Sequence, residues 1–251
     1  MEFDPVTWIV ISLAVVISGV SKGGFGAGVG FLATPLMALM ISPVQAAAVM
    51  LPILILMDQI GMTAYWRRWR WQSVWPPMAA ALVGIGIGGL AFGEINPDLF
   101  RLGLGLIAIL FTLFLLARQS GWAPNTVAPR GVRASIWGAV SGLTSTVSHA
   151  GGPPITIYLL GERLDKTEYQ AASVLIFWWI NLVKLIPYAA LGVLSVPSLT
   201  TSAMLTPAAL AGVALGVWLH KRVSQTAFFR LMIGLLLITS IKLIWDGMAA
   251  L

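Results

Sequence analysis

Long apolar runs separated by short polar loops set the pattern of this chain. Six runs reach, or nearly reach, the length a helix needs to cross about 30 Å of hydrocarbon. They cover residues 44–65, 74–92, 99–117, 169–191, 199–219 and 228–248. Two other apolar regions, 8–41 and 135–160, are interrupted by small residues. The first interruption reads Ser18-Gly19-Val20-Ser21-Lys22-Gly23-Gly24-Phe25-Gly26-Ala27-Gly28-Val29-Gly30. The second reads Ser141-Gly142-Leu143-Thr144-Ser145-Thr146-Val147-Ser148-His149-Ala150-Gly151-Gly152-Pro153-Pro154. Backbone freed from its helix inside a bilayer persists only where protein or a water-filled cavity surrounds it. The arms flanking each break are only about 10–17 residues long, and at about 1.5 Å per residue the arm 8–22 reaches about 22 Å. The pattern therefore predicts two helical hairpins with short arms, and six full spans.

The order of motifs repeats. Ser18-Gly19 matches Ser141-Gly142, and Gln45-Ala46-Ala47-Ala48-Val49 matches Gln170-Ala171-Ala172-Ser173-Val174. Gly84 and Gly88 match Gly212 and Gly216, and Phe100-Arg101-Leu102 matches Phe229-Arg230-Leu231. The offset drifts from 123 to 129, so loop lengths differ while the order holds. The expected organisation is one membrane domain, with a first repeat over 6–118, a linker over 119–132 and a second repeat over 133–251. Each repeat is one hairpin plus three spans. Three is odd, so the halves are expected to have opposite orientation, as in an inverted-topology repeat. Gly and Ala also permit close helix packing in membranes, which is the plainer account of duplicated small residues.

Composition agrees with a polytopic membrane protein. The chain has 251 residues, of which 58% are hydrophobic and 10% charged; a soluble domain carries about 25% charged residues. With no cysteine and two histidines, a thiolate site is excluded and a His-rich metal site disfavoured. No cofactor is expected. The net charge of +6 does not point to nucleic acid, because the basic residues sit in loops between apolar runs. Arg67, Arg68, Arg70, Arg118, Arg130, Arg133, Arg163, Lys166, Lys221 and Arg222 fall on one side if the loops alternate. Assigning that side to the cytoplasm by the positive-inside rule puts both termini in the periplasm. The first segment lacks a basic leader, and reads as a retained membrane element.

These motifs resemble the TauE/SafE family of sulfite exporters. The glycine-rich run Gly23-Gly24-Phe25-Gly26-Ala27-Gly28-Val29-Gly30 leading to Pro35, its partner Gly151-Gly152-Pro153-Pro154, and the Gln-Ala-Ala repeats carry the resemblance, which spans roughly residues 8–247. It implies a bacterial inner-membrane transporter of sulfite, sulfonates or related small anions, and it does not name the ligand.

A small oxyanion needs donors and positive charge in a site of reduced dielectric. Helix N-termini after the breaks, near Gly26 and Gly28 and near Gly151 and Gly152, offer free N–H groups. Ser21, Ser145, Thr146 and Ser148 add hydroxyls, while Gly23 and Gly24 let backbone approach. Lys22 sits at the first break, where an intramembrane cation is a functional candidate or a snorkelling or structurally paired side chain. His149 at the second break fits proton coupling or donation to an anion, or a satisfied polar residue at a helix turn. Lys184, near Asn181 inside a long span, fits anion attraction. Asp58 and Gln59 occupy the equivalent stretch of the first half, with Gln59 aligned to Lys184. Asp58 would repel a bound anion, so it belongs beside the site, pairing with Lys22 or Lys184 or carrying a coupling proton, or else as half of a structural ion pair. Asp58, Gln59 and His149 are thus the coupling or gating candidates, with a proton or Na+ as the coupling ion.

The leading expectation is a secondary transporter, not an enzyme, that exports a small sulfur-containing anion by alternating access. Its partners are the anion and the lipid bilayer, and association into a homo-oligomer stays open. An intramembrane enzyme acting on a lipid phosphate would need clustered acids or an arginine clamp at depth, and only Asp58 is a deep acid. A passive anion channel is the other alternative, although nothing resembles a ring-built filter.

Overall fold

A computed structural model describes residues 3–25, 33–92, 129–162 and 164–220 continuously, with isolated positions within 102–117 and 222–248. Its continuous helices are α1 (Pro5–Gly24), α2 (Ala33–Ala38), α3 (Pro43–Ala64), α4 (Trp71–Phe92), α5 (Arg130–Ser148), α6 (Gly152–Leu160), α7 (Lys166–Ala190) and α8 (Val196–Leu219). Among the described residues there is no strand. The third predicted span of each half lies mostly outside the described residues, as do Gly26 and Gly28.

Helix starts follow local chemistry. Ser42, Asp165 and Ser195 each close a capping box with the residue three positions on, and Asp4 accepts from Thr7 N. Such caps satisfy backbone N–H groups that have no partner within the helix. Proline occupies the first turn of α1, α3 and α8, where its missing N–H costs nothing. These signals start α3 one residue, and α7 and α8 three residues, before the apolar runs begin. Among the described residues five helices are long and apolar enough to cross a membrane: α1, α3, α4, the Thr167–Ala190 part of α7, and α8.

The expectation of short hairpin arms is corrected for the first arm of each pair. Helix α1 has 20 residues and α5 has 19, and only the return arms α2 and α6 are short, at 6 and 9. The reason is that the small residues do not unwind the chain where the sequence places the breaks. Ser18, Gly19, Ser21, Lys22, Gly23 and Gly24 are all helical, as are Ser141, Gly142, Ser145, Thr146 and Ser148. Helix α1 ends only at Phe25, and α5 only at His149, which adopts a left-handed conformation with φ 54°. In this first part of each motif the glycines serve close packing instead. A Cβ added to Gly23 would lie 2.4 Å from Val213 O of α8, and one added to Gly84 of α4 would lie 1.9 Å from Ala139 O of α5. Only a residue without a side chain lets these backbones approach so closely.

The helices pack in matched pairs. Helix α1 lies against α8 as α5 lies against α4; α3 meets α8 as α7 meets α4; α3 and α7 meet each other. The same correspondence relates α1–α2 to α5–α6, α2–α3 to α6–α7 and α1–α3 to α5–α7. Individual bonds repeat as well. Tyr65 Oη donates to Gly23 O and Tyr188 Oη donates to Thr146 O, each at 2.8 Å and each across 42 positions.

Candidate functional site

Two buried polar groups sit where the broken helices meet α3 and α7. In the first, Lys22, near the end of α1, pairs with Asp58 of α3. Asn181 Nδ2 of α7 donates to the other carboxylate oxygen, Asp58 Oδ2, at 2.7 Å. Lys22 Nζ also lies 5.6 Å from the centre of the Phe177 ring, an attractive cation–π distance. Lys22 and Asp58 are 6% and 1% exposed, so each charge has given up its water for the other and for a few neutral neighbours. Gln170 Nε2 donates to the backbone carbonyl of Lys22 and so holds the helix end to α7.

The second group is built on Lys184 of α7, which is fully buried. Its ammonium meets three acceptors: Ser145 O at 3.0 Å, Ser145 Oγ at 3.0 Å and His149 Nδ1 at 2.7 Å. The opposite ring nitrogen, His149 Nε2, lies 2.9 Å from Ala47 O. A carbonyl only accepts, so Nε2 carries the proton and Nδ1 is left as a lone pair facing Lys184. Among the described residues no carboxylate contacts Lys184, and its partners are all neutral. The two groups together set two lysine side chains against one carboxylate, within electrostatic reach of each other.

The fold thus gathers Lys22, Asp58, Asn181, Ser145, His149 and Lys184. It does not bring Gln59 to them: Gln59 is exposed, and its Oε1 accepts from Trp178 Nε1 at 3.1 Å. Ser21 is buried on α1 beside the first group. Thr146 and Ser148 lie on α5, but their hydroxyls bond back to Gly142 O and Thr144 O at 2.8 and 3.0 Å, a local alternative common for such residues. Gly23 and Gly24 end α1 against α8, and Gly151 and Gly152 begin α6, where Gly151 O accepts from Ser141 Oγ at 2.8 Å.

Sequence reasoning missed Tyr65, Gln170, Phe177 and Tyr188. Tyr65 and Tyr188 each close a broken helix by a bond to its last carbonyls, and Lys184 Nζ lies 6.0 Å from the centre of the Tyr188 ring. The signal that could have found them is their spacing, since Tyr65 and Tyr188 stand at the offset that relates Ser18 to Ser141.

An apolar helical bundle with five helices of membrane-spanning length among the described residues belongs to the class of polytopic membrane proteins. The chain is a member of the sulfite exporter TauE/SafE family, whose model it matches over residues 11–243. That membership makes it a transporter of sulfite or related anions in the coarse sense. Comparison with curated proteins and with solved structures produced no match.

Proposed function

We propose that this protein is an inner-membrane secondary transporter that exports small sulfur-containing oxyanions such as sulfite or organosulfonates. The carrying observation is Lys184, a fully buried ammonium held only by neutral acceptors. A buried charge without a counterion is costly, and a small anion arriving beside it relieves that cost. Lys22 supplies the second positive charge, and in the absence of substrate Asp58 occupies it. Substrate and Asp58 then compete for one cation, which makes the carboxylate a gate. His149, bonded at both nitrogens, links Lys184 to the backbone of α3, a route by which occupancy of the site reaches another helix and by which a proton or Na+ gradient can be coupled.

In this reading the two halves are inverted-topology repeats, both termini are periplasmic, and the site opens alternately to each side. The repeated bonds of Tyr65 and Tyr188 and the matched helix pairs support it. Proteoliposomes loaded with unlabelled sulfite should take up labelled sulfite by saturable counterflow, and Lys184→Met should abolish it. Flux that rises linearly with sulfite and shows no counterflow identifies a channel; no sulfite flux in the intact protein refutes the proposal.

A further inference from the structure

A second cluster with surplus positive charge lies away from the site above, where α4, α5 and α7 begin. Glu162, in the turn between α6 and α7, sits between two arginines of α5. Arg130 Nε meets its Oε2 at 2.7 Å and Arg133 Nη2 meets its Oε1 at 3.2 Å. Ser73 of α4 joins them: its Oγ donates to Glu162 Oε2 at 3.0 Å and accepts from Arg130 Nη2 at 2.7 Å. The Glu162 side chain is only 4% exposed. Two guanidinium charges therefore surround one carboxylate.

The donors outnumber what that carboxylate takes. Arg133 Nε is buried without a hydrogen-bond partner, and Tyr158 Oη, within hydrogen-bonding range of the Arg130 side chain, has no acceptor for its own proton. Tyr158 is fully buried on α6 and lies within electrostatic reach of Arg130, Arg133 and Glu162. A buried donor with no acceptor costs about 1–3 kcal/mol, so two at one place invite an acceptor. The guanidinium of Arg133 passes close over the turn: a Cβ on Gly161 would lie 2.1 Å from Arg133 Nη1, and the arginine would have to shift to admit it. Guanidinium pairs of this kind suit planar or pyramidal oxyanions, which they bind through paired N–H donors.

We infer that Arg130, Arg133, Ser73 and Tyr158 form a second binding site for a small oxyanion, in which the Glu162 carboxylate is an internal occupant that the anion replaces. A carboxylate offers two oxygens, whereas a sulfite-like anion offers three. The third engages the donors on Arg133 Nε and Tyr158 Oη that Glu162 leaves unmet. Glu162 is carried on a two-residue turn beside the exposed Gly161, so it reaches water without unwinding a helix. The anion's identity rests on the transport reading, but the site itself does not depend on Lys184.

The test uses the purified full chain in detergent, with sodium sulfite as probe and sodium chloride at matched ionic strength as control. Glu162→Gln removes the competing charge at nearly constant size. In the Lys184→Met background it should tighten sulfite binding at least tenfold, measured by calorimetry, and adding Arg133→Gln should reverse the gain. Binding by Glu162→Gln/Lys184→Met equal to that of Lys184→Met overturns the inference and leaves the cluster a structural brace. If Glu162→Gln does not fold, Tyr158→Phe serves. It removes a buried donor that has no acceptor, so the melting temperature in chloride should hold or rise. In the Lys184→Met background the stabilisation by millimolar sulfite should fall at least threefold; an undiminished response overturns the inference. Stabilisation of Glu162→Gln by phosphatidylglycerol but not by sulfite also overturns it, by assigning the arginines to lipid. Loss of binding in Lys184→Met alone bears on the transport proposal, and the Glu162 series bears only on this second site.

Discussion

Asp58 Oδ2 and Asn181 Nδ2 meet at 2.7 Å across 123 positions of sequence. That bond joins α3 to α7, and on the alignment of Gln45 with Gln170 Asp58 stands opposite Val183 and Asn181 opposite Leu56, so the contact is between neighbouring and not identical positions of the two halves. The pair marks a place where α3 and α7 touch, with an acid on one side and an amide on the other. Lys22 turns to the acid, and the whole polar interior is arranged around that difference.

Replacing the acid should expose the imbalance. Asp58→Asn leaves Lys22 buried without a counterion, a change that costs about 3–5 kcal/mol when a buried pair is broken from one side. Thermal unfolding in detergent should show the loss in chloride. Sulfite should raise the melting temperature of Asp58→Asn by more than it raises that of the unaltered protein, because the anion then substitutes for the missing carboxylate. An equal sulfite response in the two proteins would show that Asp58 and substrate do not compete.

Lys184→Met keeps the length of the stem and removes the charge. It should weaken sulfite binding at least tenfold, which corresponds to about 1.4 kcal/mol, while melting in chloride changes little or rises. Calorimetric titration with sulfite checks this, and unaltered affinity would take Lys184 out of the site.

Glycine substitutions should separate packing from flexibility. Gly23→Ala and Gly84→Ala force a methyl into the backbone of α8 and of α5 respectively, and overpacking costs about 1–3 kcal/mol where the neighbour cannot yield. Gly86→Ala meets nothing within 4 Å, and the gain in helix propensity is up to about 1 kcal/mol. Melting temperatures should fall for the first two and hold or rise for the third.

Tyr65→Phe and Tyr188→Phe each strip a carbonyl of its donor at a broken helix end. Each should cost about 1–3 kcal/mol, the range for a buried polar group left unsatisfied. Because the bonds are counterparts, the two losses should be similar in thermal unfolding; a loss confined to one tyrosine would show that the two helix ends are held differently.

Much of this fold is legible in the chain because the membrane allows few choices. Ser42-Pro43 and Asp165 mark helix starts, and apolar runs of span length mark α3, α4, α7 and α8. Lys22, Asp58, Asn181 and Lys184 stand out because an apolar span gives polar residues no ordinary reason to be there. The extent of the breaks is not legible in the same way. Ser18-Gly19 and Ser141-Gly142 have the composition of unwound backbone and of a tight helix crossing alike, and only the position of α8 and α4 decides between them. Gln59 shows the complementary difficulty. It neighbours Asp58 in sequence, but a helix turns about 100° per residue, which carries it off the buried face to an exposed one. Glu162 and Tyr158 sit at the ends of apolar runs, where charged and aromatic residues are ordinary, so nothing local sets them apart.

The glycine crossings bear on which parts of the protein can move as units. Helix α1 is locked to α8 and α5 to α4, and each lock joins an element from one half of the chain to an element from the other. Interdigitated backbones at such distances do not slide by small steps. In the alternating-access cycle proposed above, the bodies that exchange position would therefore be two hybrids, α1 with α8 and α4 with α5, and not the two sequence halves. The α3–α7 contact, with Asp58 and Asn181 at its centre, is left as the pivot between them.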